Sequence, residues 1–270
     1  ELIHELLTTL RQLGNDSSGG AADSPAAVSQ LSDVVAVAAG ANHSLALKAN
    51  GTVVAWGSNW GGALGDGGSS GLSALPVAVL GLEGISWIAS GSTASHSYAG
   101  TAAGVVYGWG RNVGGQLCLG TTDDVPTAQE VTGLAGATAA AAGEVHTLAV
   151  DADGGVWVCG DNSWGQLGTG DFESRTDATR LDAPTDVVVV SAGASHSLAL
   201  TSEGRVFAWG GNDRGQLGTG GYLSHAARKQ IGSGYSSVAA GAEQSLALTT
   251  DGTVMGWGQR DNGSSGAGYP

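Results

Sequence analysis

Four histidines, His43, His96, His146 and His196, recur at steps of 53, 50 and 50 residues, and three of them are followed directly by serine. Two chemistries could use such a set. The first is metal binding, but ligand spacing of the His-x-x-x-His kind is absent, and each histidine belongs to a different copy of a repeat. The equivalent position in a fifth copy is Gln244, a hydrogen-bonding amide and a poor metal ligand. The histidines therefore read as structural hydrogen-bonding residues, one per copy. The second is nucleophilic catalysis by His43-Ser44, His96-Ser97 or His196-Ser197. Adjacent residues of a strand point to opposite faces, so these neighbours cannot form a catalytic pair. No Gly-x-Ser-x-Gly turn stands between a predicted strand and a predicted helix. The stretch Gly65-Asp-Gly-Gly68 lacks the lysine and following helix of a phosphate loop. No catalytic residue, metal or cofactor is expected.

The tryptophans divide into two groups. Trp56, Trp109, Trp209 and Trp257 share one register and are predicted to pack inside the fold. Trp60 and Trp164 fall in the loop that follows, where other copies carry Val113, Asp213 and Arg214. Variable loop residues on a constant scaffold are where binding residues tend to sit, and tryptophan and arginine are favoured interface anchors. Trp60, Trp164, Asp213 and Arg214 are therefore candidate partner-binding residues, with plain loop packing as the rival reading.

What positions these residues is an internal repeat. The phrase Ala-Gly-x-x-His-Ser-Leu-Ala-Leu spans Ala39–Leu47 and returns at Ser90–Tyr98, Ala142–Val150, Ala192–Leu200 and Ala240–Leu248. Trp-Gly follows at 56, 109, 209 and 257, with Cys159-Gly160 in the third copy. A Gly-Gln-Leu-Gly phrase comes next at 62–65, 115–118, 165–168 and 215–218, decaying to Gly-Ser-Ser-Gly at 263–266. Period-two alternation, then Asn50-Gly51, Asp153-Gly154, Glu203-Gly204 and Asp251-Gly252 at hairpin positions, predicts strand after strand. A last strand is expected around Pro76-x-x-Val79-x-x-Leu82, making four per copy, the size of a propeller blade.

The stretch Pro25-x-x-Val28-x-x-Leu31 has the spacing of that last strand, while the chain leaves with three strands ending at Trp257-Gly258. Joined, they would form a hybrid blade and close a ring of twenty strands, removing exposed edges. Residues 1–13 are predicted as an amphipathic helix, with Leu2, Leu6 and Leu10 on its apolar stripe as further candidate contacts. Residues 14–24 read as a flexible linker and 25–270 as the propeller. The helix would pack either on its own propeller or in a partner's groove.

Composition fits an all-β protein with many tight turns: 48 glycines and 5 prolines in 270 residues. The net charge of −14 would repel a phosphate backbone, so direct nucleic-acid binding is disfavoured. No apolar run reaches the length of a membrane span. Cys118 and Cys159 are too few for a disulfide framework. Each stands where sibling copies carry another residue, so both read as drift, with a mild lean towards a reducing compartment.

The phrases Ala39-Gly-Ala-Asn-His43-Ser-Leu-Ala-Leu47, Val54-Ala-Trp56-Gly-Ser-Asn59 and Gly165-Gln-Leu-Gly-Thr-Gly170 resemble the regulator of chromosome condensation repeat family, over residues 25 to 262. The resemblance implies a β-propeller, generally of seven blades. Its members include a guanine-nucleotide exchange factor for a nuclear GTPase, a plant UV-B photoreceptor, parts of large ubiquitin ligases, ciliary proteins and a secreted bacterial β-lactamase inhibitor. The photoreceptor's Gly-Trp-Arg-His-Thr phrase is absent here. The expected fold is all-β: a propeller of about five four-stranded blades, either a closed small ring or part of a seven-bladed one. The expected function is a non-enzymatic protein-interaction scaffold, an accessory subunit of a larger assembly. Alternatives are an exchange factor or regulator for a small GTPase, and an inhibitor of an enzyme partner. A shared scaffold transfers fold better than activity.

Overall fold

A computed structural model of the chain describes residues 12–14 and 25–259. Blade one comprises β1 (Val34–Ala39), β2 (His43–Lys48), β3 (Val53–Ser58) and β4 (Leu72–Ala78). Blade two comprises β5 (Ile85–Ala89), β6 (His96–Thr101), β7 (Val106–Gly110) and β8 (Val125–Glu130). Blade three comprises β9 (Ala137–Ala142), β10 (His146–Asp151), β11 (Val156–Gly160) and β12 (Arg175–Arg180). Blade four comprises β13 (Val187–Ala192), β14 (His196–Thr201), β15 (Val206–Gly210) and β16 (His225–Gly232). Blade five has β17 (Tyr235–Ala240), β18 (Gln244–Thr249) and β19 (Val254–Gly258). Every sheet is an antiparallel meander in chain order.

The strands follow from their composition. In blades one to four the second strand is central and covered on both faces, so it reads as a nearly unbroken apolar run after its histidine: Leu198, Ala199 and Leu200 are buried, and so are His196 and Ser197. Outer strands carry polar residues, as in Arg175-Thr-Asp-Ala-Thr-Arg180, and turn them to solvent. Gly51, Gly154, Gly204 and Gly252 close the second-to-third-strand hairpins at positive φ. The glycine of Trp-Gly is demanded more strictly. Gly57, Gly110, Gly160, Gly210 and Gly258 all have φ above +100°, and an added Cβ would fall 2.4–2.6 Å from a backbone carbonyl oxygen.

Successive blades pack β1 on β5, β5 on β9, β9 on β13 and β13 on β17. Each seam is apolar, for example Leu198, Leu200 and Val206 of blade four against Val238 and Ala247 of blade five. The two ends of this array are different. Val254 is 64 % exposed where its counterpart Val206 is fully buried, and Val35 and Val37 of β1 are exposed too.

The structure corrects several sequence-based expectations. Blade five has the three strands expected at the end of the chain, but residues 25–31, expected to supply its fourth, form no strand. The hybrid blade is therefore not built, and the described strands number nineteen. The apolar residues of Pro25–Leu31 are spaced by three, which suits a connector better than a period-two strand. Correspondingly, β4 ends before Val79, a residue that packs against Gly65 just as Val28 packs against Gly14.

Of the helix expected over residues 1–13, only Gln12–Leu13 is among the described residues, and it is a turn. Residues Gln12-Leu13-Gly14 take the place of a Gln-Leu-Gly phrase. The Gln12 carbonyl accepts hydrogen bonds from Trp56 Nε1 (2.6 Å) and Ser44 Oγ (3.1 Å), and the Gly14 carbonyl accepts one from the Ser29 amide. The Gln166 carbonyl does the same for Trp209 and Ser197. Leu2, Leu6 and Leu10 lie outside the described residues.

Finally, Cys118 and Cys159 form a disulfide across 41 residues, joining blade two to blade three. Each cysteine departs from its own column of the repeat, and the two columns touch only after folding. The pairing also removes the ground for the lean towards a reducing compartment. Among the described residues no helix is long and apolar enough to cross a membrane.

Candidate partner-binding face

The third-to-fourth-strand connections, residues 59–71, 111–124, 161–174 and 211–224, all emerge at the same end of the blades. A buried asparagine organises each one. The Oδ1 atoms of Asn59, Asn112, Asn162 and Asn212 accept from the amides of Leu64, Leu117, Leu167 and Leu217, each at 2.9 Å. The Asn162 side-chain amide then donates to the carbonyls of Asp171 and Glu173, and that of Asn212 to Gly221 and Leu223. The loop is thus tied down at both ends of its excursion. A glutamine fixes its tip: Gln166 Oε1 accepts from the Trp164 amide, and Gln216 Oε1 from the Arg214 amide, both at 2.9 Å. Sequence reading by motif missed these asparagines as site-builders. Their signal is a recurrence two residues after the Trp-Gly or Cys-Gly of the first four copies.

On this frame the candidate residues point outward. Trp60 is 55 % and Trp164 51 % exposed, although both are large and apolar. Val113, Phe172, Tyr222 and Leu223 are exposed on the same set of loops. Arg111 of blade two stacks its guanidinium over the Trp60 ring at 4.0 Å, so Trp60 is held across the first seam. Asp213 and Arg214 are exposed, and Arg214 lies 3.7 Å from Asp213 and 3.8 Å from Glu243. Trp60, Trp164, Asp213 and Arg214 therefore share one face but belong to three separate blades. The four loops carry seven carboxylates (Asp66, Asp123, Asp124, Asp161, Asp171, Glu173 and Asp213) against two guanidiniums, Arg111 and Arg214. Asp171 is held below the usual carboxylate range by the Thr169 hydroxyl, with the Glu173 amide and Arg175 contributing.

The histidines lie beneath this face. Nε2 of His43, His96, His146 and His196 meets the hydroxyl of Ser97, Thr147, Ser197 and Ser245 in the next blade at 2.8–3.0 Å. The hydroxyls of Thr147, Ser197 and Ser245 donate onward to the Gln116, Gln166 and Gln216 carbonyls. A hydroxyl has one proton, so it must accept from an Nε2–H, which fixes the neutral tautomer. Burial pushes these imidazoles down to about 4 (His43, His146) and about 3 (His96, His196). The His-Ser contacts join different blades, not chain neighbours, and are buried hydrogen bonds of the seams. Among the described residues no group of three or more His, Cys, Asp and Glu side chains could hold a metal ion.

Comparison with known proteins places this architecture. The family described as RCC1-like domain matches residues 10–269. The ultraviolet-B receptor UVR8 of Arabidopsis thaliana is 41% identical over 145 residues, which are 50% of this chain and 31% of the receptor. The probable E3 ubiquitin-protein ligase HERC4 of Homo sapiens is 38% identical over 102 residues, 37% of this chain and 10% of the ligase. The crystal structure of yeast RCC1 (Prp20) bound to Kap60 superposes with a TM-score of 0.76 at 26% identity. That match covers 87% of this chain and 58% of Prp20. The chain thus spans a tenth to a third of these curated relatives and somewhat over half of the yeast protein. With a matching domain across nearly its whole length and blades built as described, the chain belongs to the RCC1-like β-propeller family.

Proposed function

We propose that this chain is a non-enzymatic protein-interaction scaffold, binding through the loop face that carries Trp60, Trp164, Asp213 and Arg214. The observation that carries this reading is the row of exposed apolar side chains, Trp60, Val113, Trp164, Phe172, Tyr222 and Leu223, held out by loops that are otherwise tightly hydrogen-bonded. Large apolar residues grouped at a surface mark interaction sites more often than chance exposure. Aromatic anchors among carboxylates suit a protein partner with apolar residues ringed by lysine and arginine. The same carboxylates oppose a nucleic-acid backbone. The test compares wild type with a Trp60→Ala/Trp164→Ala double variant, each carrying a photo-crosslinker at position 113. A basic partner should crosslink to the wild type and be lost from the variant. Equal crosslinking of both would overturn the reading.

A second reading, regulation of nucleotide exchange on a small GTPase, is favoured by the likeness to Prp20, whose binding to Gsp1p and histones has been described. Nucleotide-release assays against a panel of small GTPases test it, and a flat response across the panel removes it.

A further inference from the structure

We infer that the seam between blades two and three is held by a required disulfide, rebuilt at three positions to exchange a packing contact for a covalent one. At the other four such contacts a glycine of Gln-Leu-Gly lies under a tryptophan of the following blade. A Cβ added at Gly14, Gly65, Gly168 or Gly218 would stand 2.7–3.0 Å from Trp56, Trp109, Trp209 or Trp257. Each of these indoles donates from Nε1 to a backbone carbonyl of the same turn: Gln12, Ala63, Gln166 or Gln216.

The second-to-third seam departs from this at every point. Cys118 replaces the glycine, and Cys159 replaces the tryptophan that would collide with it. The two sulfurs are bonded. Loss of the indole should leave a void and a Gln116 carbonyl with a single donor, the Thr147 hydroxyl, where the Gln166 and Gln216 carbonyls have two. Tyr98 supplies both missing parts, standing where sibling blades carry Leu45, Leu148, Leu198 and Leu246, fully buried, with its hydroxyl donating to the Gln116 carbonyl at 2.6 Å. Cys118 also sits at φ +56°, in the left-handed region where its siblings are glycines at +65 to +71°. A side chain there is disfavoured, so an uncompensated glycine-to-cysteine change would weaken the fold. Three matched departures at one contact, one of them in an unfavourable backbone conformation, are what a required bond produces and what drift does not.

Reduction by a dithiol breaks the S–S bond. Each sulfur gains one electron and one proton, and the reductant leaves as its own disulfide. The reduced seam then holds neither the bond nor a tryptophan, and it alone of these contacts lacks both. Cys118 lies in the 111–124 loop, so loosening would spread to Arg111 and its stacking on Trp60.

The test is thermal melting with and without dithiothreitol, reduction being confirmed by alkylation and mass. Wild type should lose roughly 10 °C on reduction, and gain cleavage within residues 111–124 under limited proteolysis. The reverted seam, Tyr98→Leu/Cys118→Gly/Cys159→Trp, should melt at the same temperature in both conditions. Should that variant not fold, Cys118→Ala/Cys159→Ala serves instead, and should melt in both conditions near reduced wild type. The inference is overturned if fully reduced wild type melts with the oxidised protein. Isolation of the protein with both thiols free after oxidative refolding would overturn it equally.

Discussion

The buried histidines make stability depend on pH over a window set by their burial. In the folded chain His43, His96, His146 and His196 are held neutral, with burial lowering them to about 3 to 4. In the unfolded chain each titrates near its ordinary value of 6.5. Below that value the unfolded state binds protons that the folded state refuses, so stability falls as pH falls. At pH 5 each histidine costs about 2 kcal/mol relative to pH 8, and the four together about 8 kcal/mol. That is comparable to the whole stability of a typical domain. The carboxylates with lowered values, Asp151, Asp171 and Asp251, do not blur this window. Their stabilising effect is present above the unfolded value of 3.8 and is lost only below it. The discriminating variant is His196→Gln, patterned on Gln244, which already occupies this column in blade five. An amide can still donate to Ser245 Oγ but takes up no proton. Urea unfolding at pH 8 should place the variant within about 1 kcal/mol of wild type. At pH 5 the variant should recover about 2 kcal/mol relative to wild type. Parallel pH profiles for the two proteins would refute this linkage, because they would mean that His196 is protonated alike in both states.

Asn162→Ala removes the atom that accepts from Leu167 and the amide that holds Asp171 and Glu173. A loss of about 2 kcal/mol is expected, with proteolysis appearing in residues 161–174. Trp209→Ala leaves a void at the third-to-fourth seam and removes the indole donor to the Gln166 carbonyl, and should cost about 3–5 kcal/mol in urea unfolding. Trp87 and Gly100 are cross-strand partners, and a Cβ on Gly100 would fall 2.2 Å from the Trp87 ring. The equivalent pair in blade one is Ala36 and Leu47. Gly100→Leu alone should therefore destabilise by about 1–3 kcal/mol, with Trp87→Ala restoring much of the loss in the double variant.

Whatever repeats was legible in the chain alone. The columns of histidine, Trp-Gly and Gly-Gln-Leu-Gly define the blade, because period-two alternation and turn glycines are local properties read one copy at a time. They also placed Trp60 and Trp164 in loops, since a residue outside the constant columns is outside the core. Contacts between different columns had to wait for the folded molecule. The glycine of one blade meets the tryptophan of the next, so Cys118 and Cys159 looked like two unrelated losses until packing made them one bond with Tyr98 beside it. His43 stood beside Ser44 in the chain, and the seam turned it to Ser97. Gln12-Leu13-Gly14 lay at the end of a predicted helix, and its place in the repeat emerged only when Trp56 closed over it. The period sets which residues are equivalent, and only the packing of one blade on the next sets which of them touch.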